Sequence, residues 1–319
     1  MKSNKIIFID SVHPILRERL TQMGFKCLDY TGNSRQEILS VISTFTGAVI
    51  RSKFKIDKEI LDRAVNLKFI ARAGAGLENI DLEYSKKKGV TIYNSPEGNR
   101  TAVGEQAVGM LLSLFNNLNN ADAEVRKGIW DREGNRGHEL AGKTVGIIGY
   151  GNMGSAFAQR LQGFECNVIA YDKYKSDFGN KLVTEVSMET LFKKADVLSL
   201  HTPLTDETKH LINDEFIRSF EKNIYIINTA RGQSLNTSDL VDGLKSGKVL
   251  GACLDVLEYE KTSFENLETT KLPAPFQCLI NSKKVILSPH IAGWTEESYV
   301  KLSTFLADKI EKDLTNYTS

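Results

Sequence analysis

Thr144-Val145-Gly146-Ile147-Ile148-Gly149-Tyr150-Gly151-Asn152-Met153-Gly154-Ser155 is the stretch on which the reading of the chain turns. The short apolar run up to Ile148 predicts a strand buried on both faces. Gly149, Gly151 and Gly154 then follow at G-x-G-x-x-G spacing, opening a helical pattern that continues to about Gly163. The first glycine permits a tight turn, the second lets backbone approach a pyrophosphate, and the third lets the helix pack on the strand. A helix starting at Asn152 and Met153 would aim unpaired N–H groups and the positive end of its dipole at the phosphates. The next strand-like run, Asn167 to Tyr171, ends in Asp172, near the offset of about 20 residues at which an acid accepts the adenosine 2′-OH. A carboxylate there repels the 2′-phosphate of NADP, so the expected cofactor is NAD, with Lys173 softening the exclusion slightly.

Outward from this loop, the same rhythm runs through the chain. Strands are expected near Asp196 to Leu200, Ile224 to Asn228, Val249 to Leu254 and Val285 to Leu287, with a helix from Thr237 to Ser246, N-capped by Thr237 and stopped at Gly247. An earlier series places strands near Lys5 to Ile9, Gly47 to Ile50, Lys68 to Ala71 and Val90 to Tyr93, with helices at Pro14 to Met23, Ser34 to Ser43, Asp57 to Val65 and Asp81 to Lys88. Asn94 to Gly98 reads as a turn-rich break, followed by a helix from Thr101 to about Asn119 that is apolar nearly all round. Such a helix belongs in a domain or subunit interface. A closing helix from about Thr295 carries Tyr299, Leu302, Phe305, Leu306 and Ile310 on one face. The fold class expected is α/β, two Rossmann-like domains with parallel sheets and a cleft between them.

Composition agrees. The 319 residues are 41% hydrophobic and 25% charged, and Lys plus Arg at 41 against Asp plus Glu at 40 leaves no field to draw the chain onto nucleic acid or an anionic membrane. A small-molecule substrate is expected, with no nucleic-acid partner and no membrane span. The N-terminus carries no signal-peptide pattern, which points to the cytoplasm. Cys27, Cys166, Cys253 and Cys278 are scattered with no metal-ligand spacing, so they are read as buried thiols and no metal is expected.

Three polar residues follow strand-like runs, the place where ligands meet this kind of sheet. Arg231, after the run ending at Ile227, could grip a carboxylate bidentately. His290, in Ser288-Pro289-His290-Ile291-Ala292-Gly293, could exchange a proton with a hydroxyl or ketone, and Glu260, five residues past Asp255, could orient it. Spacing alone does not show that these two meet, and singly each type is more often structural.

With these residues in view, the chain resembles the D-isomer-specific 2-hydroxyacid dehydrogenases. The similarity rests on Arg72-Ala73-Gly74-Ala75-Gly76-Leu77-Glu78-Asn79-Ile80-Asp81, Asn99 to Glu105, Gly149 to Gly154, Leu200 to Thr205, Asn228 to Gly232, Gly251 to Val256 and Ser288 to Gly293. The resemblance implies Arg231 as carboxylate binder, His290 as acid/base and Glu260 as its partner. It places Val103, Thr229, Ala230, Asp255 and Ala292 by the cofactor, puts His201, Pro203 and Thr208 on the adenosine side, and has backbone N–H groups of Ala75 and Gly76 cradle a substrate carboxylate. It further implies a substrate-binding domain of residues 1–98 completed by 293–319, an NAD-binding domain of residues 99–292, and a homodimer, with a tetramer as the larger alternative. Lys261 replaces the Pro that commonly follows the catalytic Glu, and the segment from Lys261 to Asn281 is longer than in many relatives, so Glu258 stands as a rival to Glu260.

Arg51-Ser52, after Ala48 to Ile50, looks like the phosphate-reading site of 3-phosphoglycerate dehydrogenases, and Gly128 to Arg132 is similar to that subgroup. The chain stops after one closing helix, so serine feedback through a C-terminal regulatory domain is not expected. Glyoxylate or hydroxypyruvate reduction is the alternative within the class, and an NAD(H)-sensing corepressor-like binding protein is the alternative outside it.

Overall fold

The computed structural model describes residues 4–260 and 273–313. They form two compact units, residues 4–99 with 294–313 and residues 100–293.

In the first unit, β1 (Lys5–Phe8), α1 (Pro14–Gln22), β2 (Lys26–Asp29), α2 (Arg35–Val41), β3 (Gly47–Ile50), α3 (Lys58–Arg63), β4 (Phe69–Arg72), α4 (Leu82–Lys87) and β5 (Thr91–Asn94) alternate. All sheet pairs are parallel, in the order β2-β1-β3-β4-β5. The three inner strands β1, β3 and β4 are apolar on both faces because helices cover both: Ile7, Ala48 and Ile70 pack with Ile38 and Ile60, while Ile6, Phe8 and Phe69 pack with Leu16, Leu20 and Leu306. Ser34, Asp57 and Asp81 cap their helices by accepting from backbone N–H groups. β2 escaped the sequence reading because Lys26-Cys27-Leu28-Asp29 is a half-exposed edge strand with no apolar run.

α5 (Pro96–Phe115) begins five residues earlier than the expected Thr101, so the supposed break at 94–98 is partly its first turn. Pro96 suits that position, since its fixed φ is helical and its missing N–H would have no partner there. The run ends where Asn117 turns left-handed (φ +50°), before α6 (Leu118–Val125).

The second unit contains β6 (Thr144–Ile148), α7 (Asn152–Arg160), β7 (Asn167–Tyr171), β8 (Thr184–Glu185), α8 (Met188–Lys194), β9 (Val197–Leu200), α9 (Asp214–Arg218), β10 (Ile224–Asn228), α10 (Thr237–Ser246), β11 (Val249–Leu254), α11 (Ala274–Ile280) and β12 (Val285–Leu287). Its parallel sheet runs β12-β11-β10-β9-β6-β7-β8. α12 (Glu296–Lys312) belongs to the first unit, where Leu306, Ala307 and Ile310 are fully buried.

Two details differ from expectation. The cap of α10 is Asn236, whose side chain accepts from the N–H groups of Ser238 and Asp239, and Thr237 is the first helical residue. Of the four thiols only Cys253 is buried; Cys27 and Cys166 are half-buried and Cys278 is exposed. Burial pushes the Cys253 thiol up, since an apolar sheet interior disfavours the thiolate. Of the long segment from Lys261 to Asn281, residues 261–272 lie outside the described residues.

Candidate active site

In the second sheet β6 is followed in sequence by β7 on one side and, later, by β9 on the other, so the carboxyl ends of β6 and β9 form the topological switch point where ligands meet such sheets. The glycine loop lies here. Gly149 has φ +91°, and a Cβ on it would stand 2.8 Å from the His201 carbonyl oxygen; a Cβ on Gly154 would stand 2.1 Å from the Gly149 carbonyl oxygen. By contrast nothing lies within 4 Å of a Cβ on Gly151, the N-cap of α7. The loop is therefore closed against protein on two glycines and open on the third, where Asn152 and Met153 start the helix.

Asp172 follows β7, and its carboxylate accepts from the N–H of Tyr150 at 2.8 Å, of Tyr174 at 2.9 Å and of Lys175 at 3.1 Å. It is thus held at the glycine loop, with further lone pairs for a ribose hydroxyl. Lys173 pairs with Glu207 at 2.7 Å, a contact that holds the Glu207 carboxyl below its usual range. Lys175 sends its ammonium to the Tyr150 carbonyl at 3.1 Å, a cation at the adenosine end that sequence reasoning passed over.

His201 turns its ring inward, with Nε2 2.9 Å from Ser199 Oγ and the Phe157 ring 5.4 Å away. Burial lowers its pKa to about 3, so it is a neutral packing group, and its backbone carbonyl faces Gly149. Thr208 Oγ1 donates to the Pro203 carbonyl at 2.7 Å and closes the loop after β9. Val103 is buried on α5, and Thr229 and Ala230 are buried just beyond β10. Thr202 and Thr229, at neighbouring strand ends, each keep a buried hydroxyl oxygen without a hydrogen-bond partner. Orphaned polar atoms are rare in protein interiors, and at this edge they fit a polar ligand laid across β9 and β10, as a dinucleotide would be.

The His290 loop is built by Asp255. That residue is 1% exposed, and its carboxylate accepts from Ser288 Oγ (2.6 Å), Ile291 N–H (2.9 Å) and Ala292 N–H (2.9 Å), while its carbonyl accepts from His290 N–H at 2.7 Å. The structure therefore places Asp255 as the anchor of a sharp loop, with His290 at φ +54°, a conformation that costs a non-glycine residue energy and persists only where surroundings enforce it. Glu260 Oε2 lies 2.8 Å from His290 Nδ1, and its other oxygen accepts from the Leu257 N–H. Glu258 instead contacts His210 Nε2 at 2.8 Å and accepts from the Thr237 N–H at 2.9 Å. The two glutamates thus serve different histidines, and only Glu260 reaches His290.

Asn228 shapes the turn after β10, accepting from the Ala230 N–H at 3.0 Å and donating to the Arg231 carbonyl at 2.9 Å. Arg231 is half-buried, with Nη1 donating to the Ala230 carbonyl at 2.6 Å. A Cβ on Gly232 would stand 2.0 Å from the Leu257 carbonyl oxygen, so the Arg231 turn packs directly on the segment that leads to Glu260.

In the first unit, Arg51 and Ser52 follow β3, and Ala75 and Gly76 follow β4, all partly exposed at the carboxyl edge. Asn94 Nδ2 donates to the Ala75 carbonyl at 2.7 Å. Sequence reasoning missed Asp10, just past β1, whose Oδ2 accepts from the N–H groups of Arg51 (2.6 Å), Ser52 (3.0 Å) and Lys53 (3.1 Å). It also missed Trp294, whose ring lies 4.3 Å from the Arg51 guanidinium carbon. No local signal marks either, because each is 40 or more positions from Arg51.

Two parallel α/β sheets, a glycine-lined dinucleotide loop and a histidine–carboxylate pair at one sheet edge define an NAD-binding oxidoreductase. Residues 108–292 match the model of the D-isomer specific 2-hydroxyacid dehydrogenase, NAD binding domain, and the chain belongs to that family as an NAD-dependent oxidoreductase acting on a CH–OH group. It is 36% identical over 280 residues to a hydroxypyruvate reductase of Thermotoga maritima, covering 88% of each chain. It is 35% identical to a D-3-phosphoglycerate dehydrogenase of Methanocaldococcus jannaschii over 97% of this chain, but spans only 57% of that longer protein. A solved D-lactate dehydrogenase from Aquifex aeolicus, complexed with NAD and lactic acid, superposes with a TM-score of 0.82 at 27% identity, covering 98% of this chain and 96% of the other. Among the described residues, no helix is long and apolar enough to cross a membrane.

Proposed function

We propose that this chain interconverts D-3-phosphoglycerate and 3-phosphohydroxypyruvate with NAD. The observation that carries the substrate is Arg51, a guanidinium at the carboxyl end of β3, beside β1 in the order β2-β1-β3 and so at the switch point of the first sheet. A planar fork there suits a doubly charged phosphate, with Ser52 beside it, and the loop at Ala75 and Gly76 of the same unit offers backbone N–H groups to the C1 carboxylate.

For the chemistry, His290 is the acid/base. With Nδ1 held by Glu260, proton exchange falls to Nε2, which takes the C2 hydroxyl proton on oxidation and returns it on reduction. The Glu260 carboxylate stabilises the imidazolium so formed. Arg231 fixes the carboxylate and polarises the oxygen on C2. Val103, Gly149 to Gly154, Asp172, the loop at His201, Pro203 and Thr208, and the backbone near Thr229, Ala230 and Ala292 would hold the cofactor, which would supply the two-electron acceptor.

A homodimer is part of this reading, supported by Leu118, Val125, Ile129 and Trp130, all exposed in one segment, with Trp130 at 80%. A reducing cytoplasm suits its four free thiols. Reduction of hydroxypyruvate or glyoxylate is the second reading, favoured by one observation: Asp10 already occupies the backbone N–H groups of residues 51–53, so a phosphate would be held by side chains. The His290–Glu260 pair favours catalysis over a purely NAD(H)-sensing role.

Steady-state rates of NADH oxidation with phosphohydroxypyruvate, hydroxypyruvate, glyoxylate, pyruvate and 2-ketoglutarate at fixed ionic strength test the proposal. The expected result is a marked preference for phosphohydroxypyruvate that Arg51→Ala removes by raising its KM. Equal or better rates with unphosphorylated acids would establish the second reading instead.

A further inference from the structure

At the switch point of the first sheet, three residues distant in sequence converge. Asp10 lies just past β1, Arg51 follows β3, and Trp294 stands just before α12. Asp10 takes up all three backbone N–H groups of residues 51–53, so its charge is satisfied by the turn it holds; Asn79, 6% exposed, adds a hydrogen bond to the Arg51 carbonyl at 3.1 Å. Lys53, two residues on, is directed elsewhere, its ammonium donating to the Asn33 carbonyl at 2.8 Å. The Arg51 guanidinium lies against the Trp294 indole at 4.3 Å and sends Nη1 to the Ser11 carbonyl at 3.5 Å. Trp294 is 56% exposed, so core packing alone does not explain its presence. Its backbone is nevertheless well fixed: Thr295 caps α12 in a reciprocal pair with Ser298, and the Trp294 ring leans on Tyr299 at 6.4 Å, which itself meets His13 at 5.4 Å.

We propose that Trp294 is a specificity-determining residue: its indole holds the Arg51 guanidinium by one face and so fixes it as the receptor for the phosphate monoester of the substrate. A ring against the face of a guanidinium restricts its rotamers while its N–H groups, which lie in the plane, remain able to exchange a carbonyl partner for an oxyanion. An arginine without the ring would sweep through many rotamers, and ordering it would be charged against each binding event. This inference rests on the phosphorylated-substrate reading and deepens it, by naming what makes Arg51 selective.

The test is the ratio of kcat/KM for phosphohydroxypyruvate to that for hydroxypyruvate with NADH, measured for wild type, Trp294→Ala and Trp294→Phe. Trp294→Ala is expected to lower the ratio about fivefold or more, with the change carried by the KM of the phosphorylated substrate, and Trp294→Phe, which keeps an aromatic face, is expected to restore most of it. In a Trp130→Phe background, inorganic phosphate should shift the fluorescence of Trp294 saturably, and Arg51→Ala should abolish the shift. If wild type prefers the phosphorylated substrate but Trp294→Ala keeps the ratio within about twofold, the role of Trp294 is overturned and the substrate reading stands. A Phe variant as impaired as the Ala variant would also overturn it, since the ring face would then not be what acts. If wild type shows no preference for the phosphorylated substrate, the reading itself falls, and this inference with it.

Discussion

Each of the two sheets has one switch point, and the two are finished in opposite ways. Between β6 and β9 the chain offers backbone: Gly151 leaves open space at the start of α7, and as its N-cap it makes no side-chain hydrogen bond to the first helical turn. Between β1 and β3 the backbone N–H groups of residues 51–53 are already occupied by Asp10, and a side chain, Arg51 against Trp294, stands at the strand ends instead. A backbone cradle binds whatever carries a pyrophosphate, whereas a stacked guanidinium distinguishes between substrates. Similar topology thus yields an open backbone loop in one unit and, on the proposed reading, a selective receptor in the other. Substitutions in the second unit should therefore alter turnover and cofactor use, and those at Arg51 or Trp294 the choice of substrate.

The largest effect is expected at His290. His290→Ala should lower kcat by ~10²- to 10⁴-fold, the span general acid–base groups contribute, while NADH still binds in a fluorescence titration. His210 is its matched control: it has the same 2.8 Å contact to a glutamate and a similar left-handed backbone, yet Glu258 is tied to the start of α10. His210→Ala should change kcat by less than ~3-fold, far from the general acid–base range. Comparable losses in both variants would mean that the pair at His290 is structural too.

Asp172 comes next. Asp172→Ala should raise the kcat/KM ratio for NADP over NAD by about tenfold, or ~1.4 kcal/mol, since Lys173 is engaged with Glu207 while Lys175 already stands at the loop. An unchanged ratio would show that the cradle selects by backbone alone.

A further effect appears only with pH. His201 has a native pKa of about 3 against an ordinary 6.5, so between these values the unfolded chain binds a proton that the native chain does not. Stability therefore rises with pH across that window and is lost on acidification. Urea midpoints at pH 7, 5.5 and 4 should show this, and His201→Gln should flatten the slope.

The strands of both sheets were legible because burial on both faces demands uninterrupted apolar runs. β2 and the two-residue β8 were not, since edge pairing requires no such run. The start of α5 was misplaced because Asn94 to Gly98 carries turn residues whose Pro96 serves equally well as a first helical residue.

The sequence by itself determined the dinucleotide loop, the acid at the end of β7, and the kinds of residue that could carry a proton or grip a carboxylate. These depend on short-range backbone geometry, where spacing and residue type are the physical variables. Only the tertiary structure decided that Glu260 rather than Glu258 reaches His290, that Asp255 builds the loop beneath it, that the His201 ring turns inward, and that Asp10 and Trp294 stand around Arg51. Such pairings are set by which strand ends the sheet order brings together, and neighbours across a parallel sheet are separated in sequence by whole helices.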